Sequence, residues 1–314
     1  MKEKFLHAQP GAYIVTEQNK TFSVLHLHSI SGKRILLEEI SIPSAQIPGK
    51  NMDWKKWLQG KAPSHSSWIM YEIDLEEDTI LECFSFSRNA WLTYDSSDAF
   101  LAKLFILPLK EVPASQRKRI GPPPLDRSED CRKIWNPPLF REGKKQTDAQ
   151  FDVFQTTWPK DESDLSRKDL LLYFEKNSSF PFPYWIQISD GSNAMKVRSV
   201  DSGTQMASPY DSIPRRPPQF LGTVQKKPNC YQIKIKTPPY FKDLHIYALD
   251  VNNFGQMIPL SFTLLPDEEK DAYWIQLPKD FLEKQFIKGH CYRFLAVPKE
   301  TAEAFAETAE DWQY

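Results

Sequence analysis

The chain has 314 residues and a formal net charge of −1 at pH 7, so no overall positive charge draws it to nucleic acid or to an anionic membrane. Hydrophobic residues make up 40% of the chain and aromatic residues 13%, which is sufficient for the core of a globular protein. Prolines outnumber glycines by 25 to 11, and this ratio predicts stiff connections between the folded parts.

The apolar segments and the cysteines predict the cellular location of the protein. No apolar run reaches the about 20 residues that a membrane-spanning helix needs, and the first ten residues lack the apolar core of a signal peptide. The 4 cysteines lie far apart, which is typical of reduced thiols and predicts no disulfide framework and no zinc site. We therefore expect a soluble, cytoplasmic protein; export by a non-Sec pathway would leave no signal of this kind.

Short runs in which apolar and polar residues alternate recur along most of the chain. Because neighbouring strand residues point to opposite faces of a sheet, each run is typical of a half-buried strand. A short helix is predicted at residues 53–59, with Asn51 or Asp53 as its N-cap. The chain is therefore expected to be mainly β and to begin with a strand-rich α+β unit at residues 1–110, whose strands are predicted at 12–18, 21–30, 34–42, 67–75 and 79–87.

Residues 111–150 differ in composition from the segments on either side. They contain prolines at 122–124 and 137–138 and a cluster of basic residues that includes Arg117 and Arg119. The alternation of apolar and polar residues is lost here, and helical geometry is disfavoured for the residue before each proline. We expect a proline-rich basic connector at residues 111–150, between separate folding units.

Residues 151–298 return to strand-like runs. Their spacing is compatible with a β-sandwich of the immunoglobulin or fibronectin type, with a short helical insert at residues 280–288. A second proline-rich basic segment carries Arg215 and Arg216. It leaves open whether this region is one unit or two, with a break near residues 207–218.

The sequence Tyr-Trp-Ile-Gln occurs twice in this half, with its tryptophans at Trp185 and Trp274. Each copy begins an apolar strand segment and lies outside any charged or aromatic-rich loop. We therefore predict that both tryptophans are buried structural anchors at equivalent strand positions, a pattern that true duplication would also produce.

The last segment, residues 299–314, is predicted to be an amphipathic helix. Ala302, Phe305, Ala309 and Trp312 follow helical spacing and form one apolar stripe. The striped part, residues 299–312, has about 14 residues, which is marginal for an isolated helix in water, so the stripe needs a surface to cover it. Docking on the protein's own C-terminal part is favoured over docking in a groove of a partner protein.

Four short patterns resemble catalytic or metal-binding arrangements, and each has a simpler structural interpretation. Asp201-Ser202-Gly203 resembles the active-site motif of aspartic proteases, but it occurs once, and Asp-Ser-Gly is also an ordinary turn. His26 and His28 have a spacing that can hold a metal, yet no third ligand is evident. A structural interpretation is also favoured for the two remaining patterns. The carboxylates Glu72, Asp74 and Glu76 are interpreted as a solvated strand face, and Cys291, which follows His290, as a core thiol.

The sequence contains no recognisable nucleotide-binding, phosphate-binding or hydrolase motif, and we predict no catalytic, cofactor-binding or metal-binding residue. The favoured function is a non-catalytic binding or scaffolding protein that acts through protein–protein contacts, with an unidentified protein partner. The alternative is a hydrolase on a β-rich fold without a local motif. The residues predicted to contact a partner are Phe305, Trp312, Arg117, Arg119, Arg215 and Arg216.

Overall fold

The structure is a computed structural model that describes residues 1–47, 52–92, 104, 107–124, 130–161, 163–190, 193–238, 241, 243–269, 271–300 and 305–314. The chain is mainly β and its strands pair in antiparallel sheets, which confirms the predicted fold class. It divides into two compact units, unit 1 at Met1–Ile213 and unit 2 at Pro214–Tyr314. Within the described ranges, no helix is long and apolar enough to cross a membrane.

Unit 1 has two short α-helices in its described part, α1 (Lys2–Leu6) and α2 (Trp54–Gln59). Its strands there are β1 (Tyr13–Gln18), β2 (Thr21–Ser31), β3 (Arg34–Pro43), β4 (Ser67–Asp74), β5 (Thr79–Ser85), β6 (Ala90–Trp91), β7 (Lys110–Glu111), β8 (Leu139–Arg141), β9 (Lys144–Gln146), β10 (Phe151–Thr157), β11 (Asp169–Glu175), β12 (Trp185–Asp190) and β13 (Asn193–Gly203).

One antiparallel sheet runs through unit 1, and the described residues give it eleven strands in the order β6-β5-β4-β3-β2-β1-β13-β12-β11-β10-β7. The first six strands form a meander in which each strand pairs with the next along the chain. The chain then returns along the other half of the sheet and ends on β13, which pairs with β1. Strands β8 and β9 form a separate hairpin.

The two faces of this sheet carry different cores, as strand alternation requires. On one face, Val15, Ile40 and Trp68 pack with Trp54 and Trp57 of α2. The Asp53 carboxylate accepts a hydrogen bond from the backbone N–H of Lys56 at 3.1 Å, so the predicted N-cap of this helix is confirmed for Asp53. The other face carries a second core, with Phe5 of α1 and residues of β1 to β5, among them Ile14, Leu37 and Tyr71.

Unit 2 consists of two antiparallel sheets and one helix in its described part. The strands are β14 (Gln219–Lys226), β15 (Cys230–Lys236), β16 (Leu244–Asp250), β17 (Gln256–Pro259), β18 (Thr263–Pro266), β19 (Ala272–Pro278), β20 (Cys291–Pro298), β21 (Ala306–Glu307) and β22 (Trp312–Gln313), and the helix is α3 (Lys279–Gln285). One sheet has the order β14-β15-β19-β18 and the other β17-β16-β20-β21, with β22 also paired to β20.

The two sheets of unit 2 contribute to one shared core. Ile233 and Ile275 from the first sheet belong to the same buried cluster as Ile246, Tyr292 and Phe294 from the second. Each of these side chains alternates along its strand with more exposed neighbours. The period-two pattern of the sequence is therefore accounted for by burial against the opposing sheet.

The division of the chain differs from the boundaries expected at residues 110, 150 and 298. Strands from residues 1–110 and 151–203 lie in one sheet, and residues 111–150 are part of the same unit. The Arg117 guanidinium donates hydrogen bonds to the carbonyl oxygens of Val112 and Phe151 at 2.9 and 2.8 Å. Residues 111–150 are therefore short strands and proline-containing loops of a packed unit. The chain divides after Ile213, within the second proline-rich segment, residues 207–218.

The predicted helix at residues 299–314 is wrong for the part that the structure describes. Residues 301–304 lie outside the described residues, and residues 305–314 contain β21 and β22, both paired with β20. Ala306 and Thr308 are buried while Glu307 between them is exposed, which is strand periodicity. The segment satisfies its backbone through β20, and this outweighs the helical spacing of its apolar residues.

The predicted burial of Trp185 and Trp274 is also wrong, because both side chains are only half-buried. The buried anchors are their neighbours on the opposite strand face: Tyr184 and Ile186 beside Trp185, and Ile275 beside Trp274. The apolar runs identified the strands correctly, but the face that points inward is set by pairing with distant strands.

Candidate ligand-binding cleft

A cleft of about 750 Å³ lies on the sheet of unit 1, and its volume is typical of small-molecule sites. Residues of β1, β2 and β3 line it, and in register Ile14 lies opposite Leu25, which lies opposite Glu39. Two further pairs come from β12 and β13, Ile186 with Val197 and Ile188 with Met195. We call this site the Glu39 cleft.

The rest of the lining comes from segments that pack on the sheet. These are Met1 and Phe5 at α1, Leu104, Leu165 and Phe182 with Pro183, together with the charged residues Asp164 and Lys168. Ile14, Phe5 and Phe182 are themselves buried core residues, so this part of the wall is rigid. The lining is mostly apolar and offers a preformed site to an apolar molecule.

Glu39 is the carboxylate in this apolar surrounding. Its neighbours across the strands are Leu25 on β2 and Ile69 on β4. The Tyr71 hydroxyl donates a hydrogen bond to Oε2 of Glu39 at 3.3 Å. Burial raises the pKa of Glu39, and the Tyr71 hydrogen bond opposes this only in part. The cleft therefore contains one acid for which the charged form is destabilised.

Hydroxyl groups near Glu39 hold the strands together. Thr16 Oγ1 donates to the backbone oxygen of Ser23 at 3.3 Å, and the hydroxyls of Ser23 and Ser41 lie 2.9 Å apart. These contacts cross from β1 through β2 to β3, in the row next to the one that carries Glu39. They stabilise the polar end of the cleft floor.

Glu38, one residue earlier, points to the opposite face and is fully buried. Its Oε1 accepts hydrogen bonds from Trp68 Nε1 at 2.7 Å and from Ser208 Oγ at 2.8 Å, and its Oε2 lies 2.8 Å from His26 Nδ1. His26 Nε2 donates to the backbone oxygen of Met206 at 3.1 Å, because a carbonyl can only accept. This network fastens residues 206–208 to the sheet.

The histidine pair considered for a metal is used for the same purpose. The rings of His26 and His28 lie 5.8 Å apart on one strand face, as predicted, and Nε2 of His28 donates to the backbone oxygen of Tyr210 at 2.9 Å. Among the residues that the structure describes, no group of three or more His, Cys, Asp or Glu side chains is arranged to hold a metal ion.

The Asp201-Ser202-Gly203 motif also has a structural position. The Asp201 carboxylate accepts hydrogen bonds from the backbone N–H of Gly143 at 2.9 Å and from the Tyr13 hydroxyl at 3.2 Å, and burial raises its pKa. Ser202 Oγ donates to the backbone oxygen of Phe140 at 2.7 Å. Gly203 leaves room for the Tyr13 ring, since a Cβ there would lie 2.7 Å from it. The motif attaches the β8–β9 hairpin to the sheet.

Two other groups of candidate residues lie outside the cleft. Asp74 accepts hydrogen bonds from the backbone N–H groups of Glu76 and Glu77, which lower its pKa and close a turn. His290 Nδ1 lies 2.9 Å from Oδ2 of Asp250, while the half-buried Cys291 is anchored through its backbone N–H to the Asn252 side chain. These contacts give both groups a structural position, but Cys291 is half-buried and is not the core thiol that was expected.

The residues predicted to contact a partner have different environments. Phe305 is 52% exposed, whereas Trp312 packs against the rings of Tyr231 and Phe294 at 5.2 and 5.9 Å. Arg117 is held by backbone carbonyls, and Arg119 donates to the backbone oxygen of Arg132 at 2.6 Å. Arg215 is exposed and Arg216 is half-buried. Phe305 and Trp312, expected on one stripe, are not brought together as a surface.

Sequence reasoning missed both Glu38 and Glu39. The available signal was two adjacent carboxylates inside an apolar strand, Ile35-Leu36-Leu37-Glu38-Glu39-Ile40. Because adjacent strand residues face opposite ways, at least one of them had to enter a core. A carboxylate in a core needs a partner or a ligand, which makes such a pair a useful marker.

Comparison with known proteins gives a family match and structural neighbours. A family model described as "CT021 protein" matches residues 23–147, which is less than half of the chain and includes Glu38 and Glu39. The 2.0 Å structure of the hypothetical protein CT021 from Chlamydia trachomatis is similar, with a TM-score of 0.48 and 22% identity, over 68% of this chain and 96% of that chain. No curated protein matches the chain.

Proposed function

We propose that this protein is a non-catalytic binding protein that holds an apolar small molecule in the Glu39 cleft. The observation that carries the proposal is a preformed cleft of about 750 Å³ with a mostly apolar lining and few polar groups. Small-molecule sites have this composition, in which apolar walls supply affinity and a few polar groups fix orientation.

The hydroxyl groups of the cleft favour binding over the hydrolase alternative. A serine or threonine nucleophile needs a base within hydrogen-bond reach. Thr16 instead donates to a backbone oxygen, and Ser23 shares its hydrogen bond with Ser41. These contacts engage both hydroxyls in strand-to-strand bonds.

Replacing Val197 by tryptophan is expected to reduce the affinity for Nile red, a neutral apolar dye, by about tenfold or more, because the larger ring occupies the cleft. Val197 lines the cleft and is half-buried, so the sheet keeps its backbone pairing. Dye fluorescence titrations on the full chain measure the affinity, and circular dichroism melts check that the variant is folded.

Lys196→Trp provides the matched control. Lys196 is the preceding residue on β13, it is exposed, and it does not line the cleft. Its variant should bind the dye as the wild type does. Equal affinities for the wild type and the folded Val197→Trp protein would contradict the proposal.

We also propose, as the protein–protein function that the sequence predicts, that unit 2 pairs with a second copy of this chain along β17. No charged residue occurs from residue 251 to residue 265, although β17 is an edge strand of its sheet in the described part. Edge strands are usually protected by charges. Phe254 is fully exposed at the tip of this hairpin, and Val251 and Met257 are 44% and 57% exposed.

A second copy is the occupant that this chemistry favours. In a two-fold antiparallel pairing, residue i faces residue j and residue j faces residue i, so the same short edge lies against itself and like charges on it would be brought close together. An uncharged apolar edge avoids this repulsion, and its apolar side chains can pack against those of the second copy. The backbone N–H and C=O groups on the free side of β17 supply the hydrogen bonds.

Met257→Lys is expected to convert a self-associating wild-type protein into a monomer, because it would bring two lysines close together within a pairing of four-residue strands. Sedimentation velocity over a range of concentrations measures the oligomeric state. Ile287→Lys is the control, since Ile287 is 52% exposed elsewhere on unit 2 and should leave association unchanged. A wild-type protein that stays monomeric throughout would exclude the pairing.

A further inference from the structure

The chemistry of the Glu39 cleft identifies a class of ligand, and this inference rests on the binding function proposed above. Glu39 has an ionisable group in a row of apolar residues, between Leu25 and Ile69. Tyr71 is its hydrogen-bond partner among the described residues, and no ion pair joins Glu39 to a lysine, arginine or histidine of that part of the chain.

Glu39 is half-buried in an apolar surrounding, where a carboxylate without a counter-charge is unfavourable, and proteins generally pair such groups with a cation. Glu38 is saturated by Trp68 and Ser208 with His26 beside it, whereas Glu39 on the next residue has one long contact. Glu39 lines the cleft, so its carboxylate oxygens can accept further hydrogen bonds from a ligand there. A ligand is therefore in a position to supply the missing positive charge.

We propose that the Glu39 cleft binds primary amines with a long apolar chain, with the ammonium group on the Glu39 carboxylate and the chain on the apolar lining. An ammonium donates charge-assisted hydrogen bonds, which are about twice as strong as neutral ones. Leu25, Ile186 and Val197 offer the chain an apolar surface. A fatty acid of the same length, bound with its carboxylate at the same end of the cleft, would be repelled by Glu39.

Three ligands of equal chain length test this assignment: decylamine, decanol and decanoate, each used to displace Nile red from the full-length protein. At about pH 8.5 a primary amine is still protonated, while a glutamate with a raised pKa is driven towards its charged form. In the wild type, decylamine should bind about tenfold or more tightly than either decanol or decanoate. In Glu39→Gln, the preference for the amine should disappear while decanol affinity changes by less than about threefold.

Glu17→Gln is the control for the same chemical change on the same sheet. Glu17 lies on β1, pairs with the exposed Arg198 and does not line the cleft. Its variant should keep the wild-type preference for the amine, since exposed ion pairs contribute little. Loss of the preference in Glu17→Gln as well as in Glu39→Gln would overturn the role of Glu39.

The outcomes separate this inference from the binding function beneath it. If decylamine and decanol displace the dye equally well from the wild type, the binding function stands and the amine assignment is wrong. The same conclusion follows if Glu39→Gln retains the preference or if decanoate binds most tightly. If none of the three ligands displaces the dye, or the dye itself does not bind, both proposals fail.

Discussion

Replacing Glu38 by alanine is expected to lower the free energy of unfolding of unit 1 by about 3 to 5 kcal/mol. The substitution removes the acceptor for Trp68 Nε1 and Ser208 Oγ, at 2.7 and 2.8 Å, and the partner of His26 Nδ1 at 2.8 Å. His26, Glu38 and Trp68 are all buried, so water does not replace the lost acceptor. Urea unfolding followed by tryptophan fluorescence measures the loss.

Glu39→Ala is the matched control, because it makes the same change one residue along the strand on the opposite face. Its carboxyl has one hydrogen bond, at 3.3 Å, so its removal should change stability by about 1 kcal/mol or less. Because burial raises the pKa of Glu39 in the folded state, its contribution is fully present below the ordinary glutamate pKa. That contribution is lost as the pH rises through the raised pKa, so the wild type should lose stability relative to Glu39→Ala over that interval. Equal destabilisation by the two variants at neutral pH would contradict the assignment of Glu38 as the structural carboxylate.

Phe294→Ala is expected to destabilise unit 2 by about 3 to 5 kcal/mol, as large-to-small substitutions of core aromatics do. Phe294 is fully buried on β20, in the cluster that joins the two sheets, and its ring lies 5.9 Å from that of Trp312. The vacated volume is enclosed by both sheets, which limits relaxation around it. The midpoint of urea unfolding for unit 2 reports the change.

Two aromatic residues of the same unit provide the comparison. Trp274 is half-buried, with Lys234 Nζ 5.9 Å from its ring centre, and its replacement by alanine should cost about 1 to 2 kcal/mol. Phe305 is 52% exposed and its alanine variant should lie within about 0.5 kcal/mol of the wild type. A loss for Trp274→Ala as large as that for Phe294→Ala would restore the role of Trp274 as a core anchor.

Strand positions were predictable because burial on one face imposes alternation directly on the sequence. The run at residues 34–42 corresponds to β3 at Arg34–Pro43, and the run at 21–30 to β2 at Thr21–Ser31. The N-cap at Asp53 was predictable for a similar reason, since capping is a local interaction between residues three apart in sequence. In each case, the structure is determined by contacts between residues close in sequence or by a simple repeat of apolar and polar residues.

Features set by distant contacts were not predictable in this way. The pairing of β1 with β13 brings residues 13–17 next to 198–203, and neither run identifies the other. The segment at residues 305–314 was assigned to a helix because its spacing suits a stripe, while its pairing with β20 depends on a strand elsewhere in the chain. The inward face at Trp185 depends on register in the same way.

The candidate site depends on both kinds of information. The carboxylate pair Glu38-Glu39 is visible in the sequence as a break in an apolar strand. Which of the two meets Trp68 and which enters a cleft is decided by the packing of α2 on one face and of α1 on the other. The apolar lining of the cleft comes from β1 to β3 and from β12 and β13, which meet only in the folded sheet.

The pairing of β1 with β13 also has a consequence for biosynthesis. Arg198 meets Glu17 across a separation of 181 residues, so the ribosome must translate nearly all of unit 1 before this contact can form. At about 5 to 20 residues per second, the nascent β1 waits about 10 to 40 s for its second neighbour. Throughout that interval its unpaired N–H and C=O groups are a template for other nascent chains. The half of the sheet that is translated first must therefore stay soluble with an open edge until the last strand leaves the ribosome.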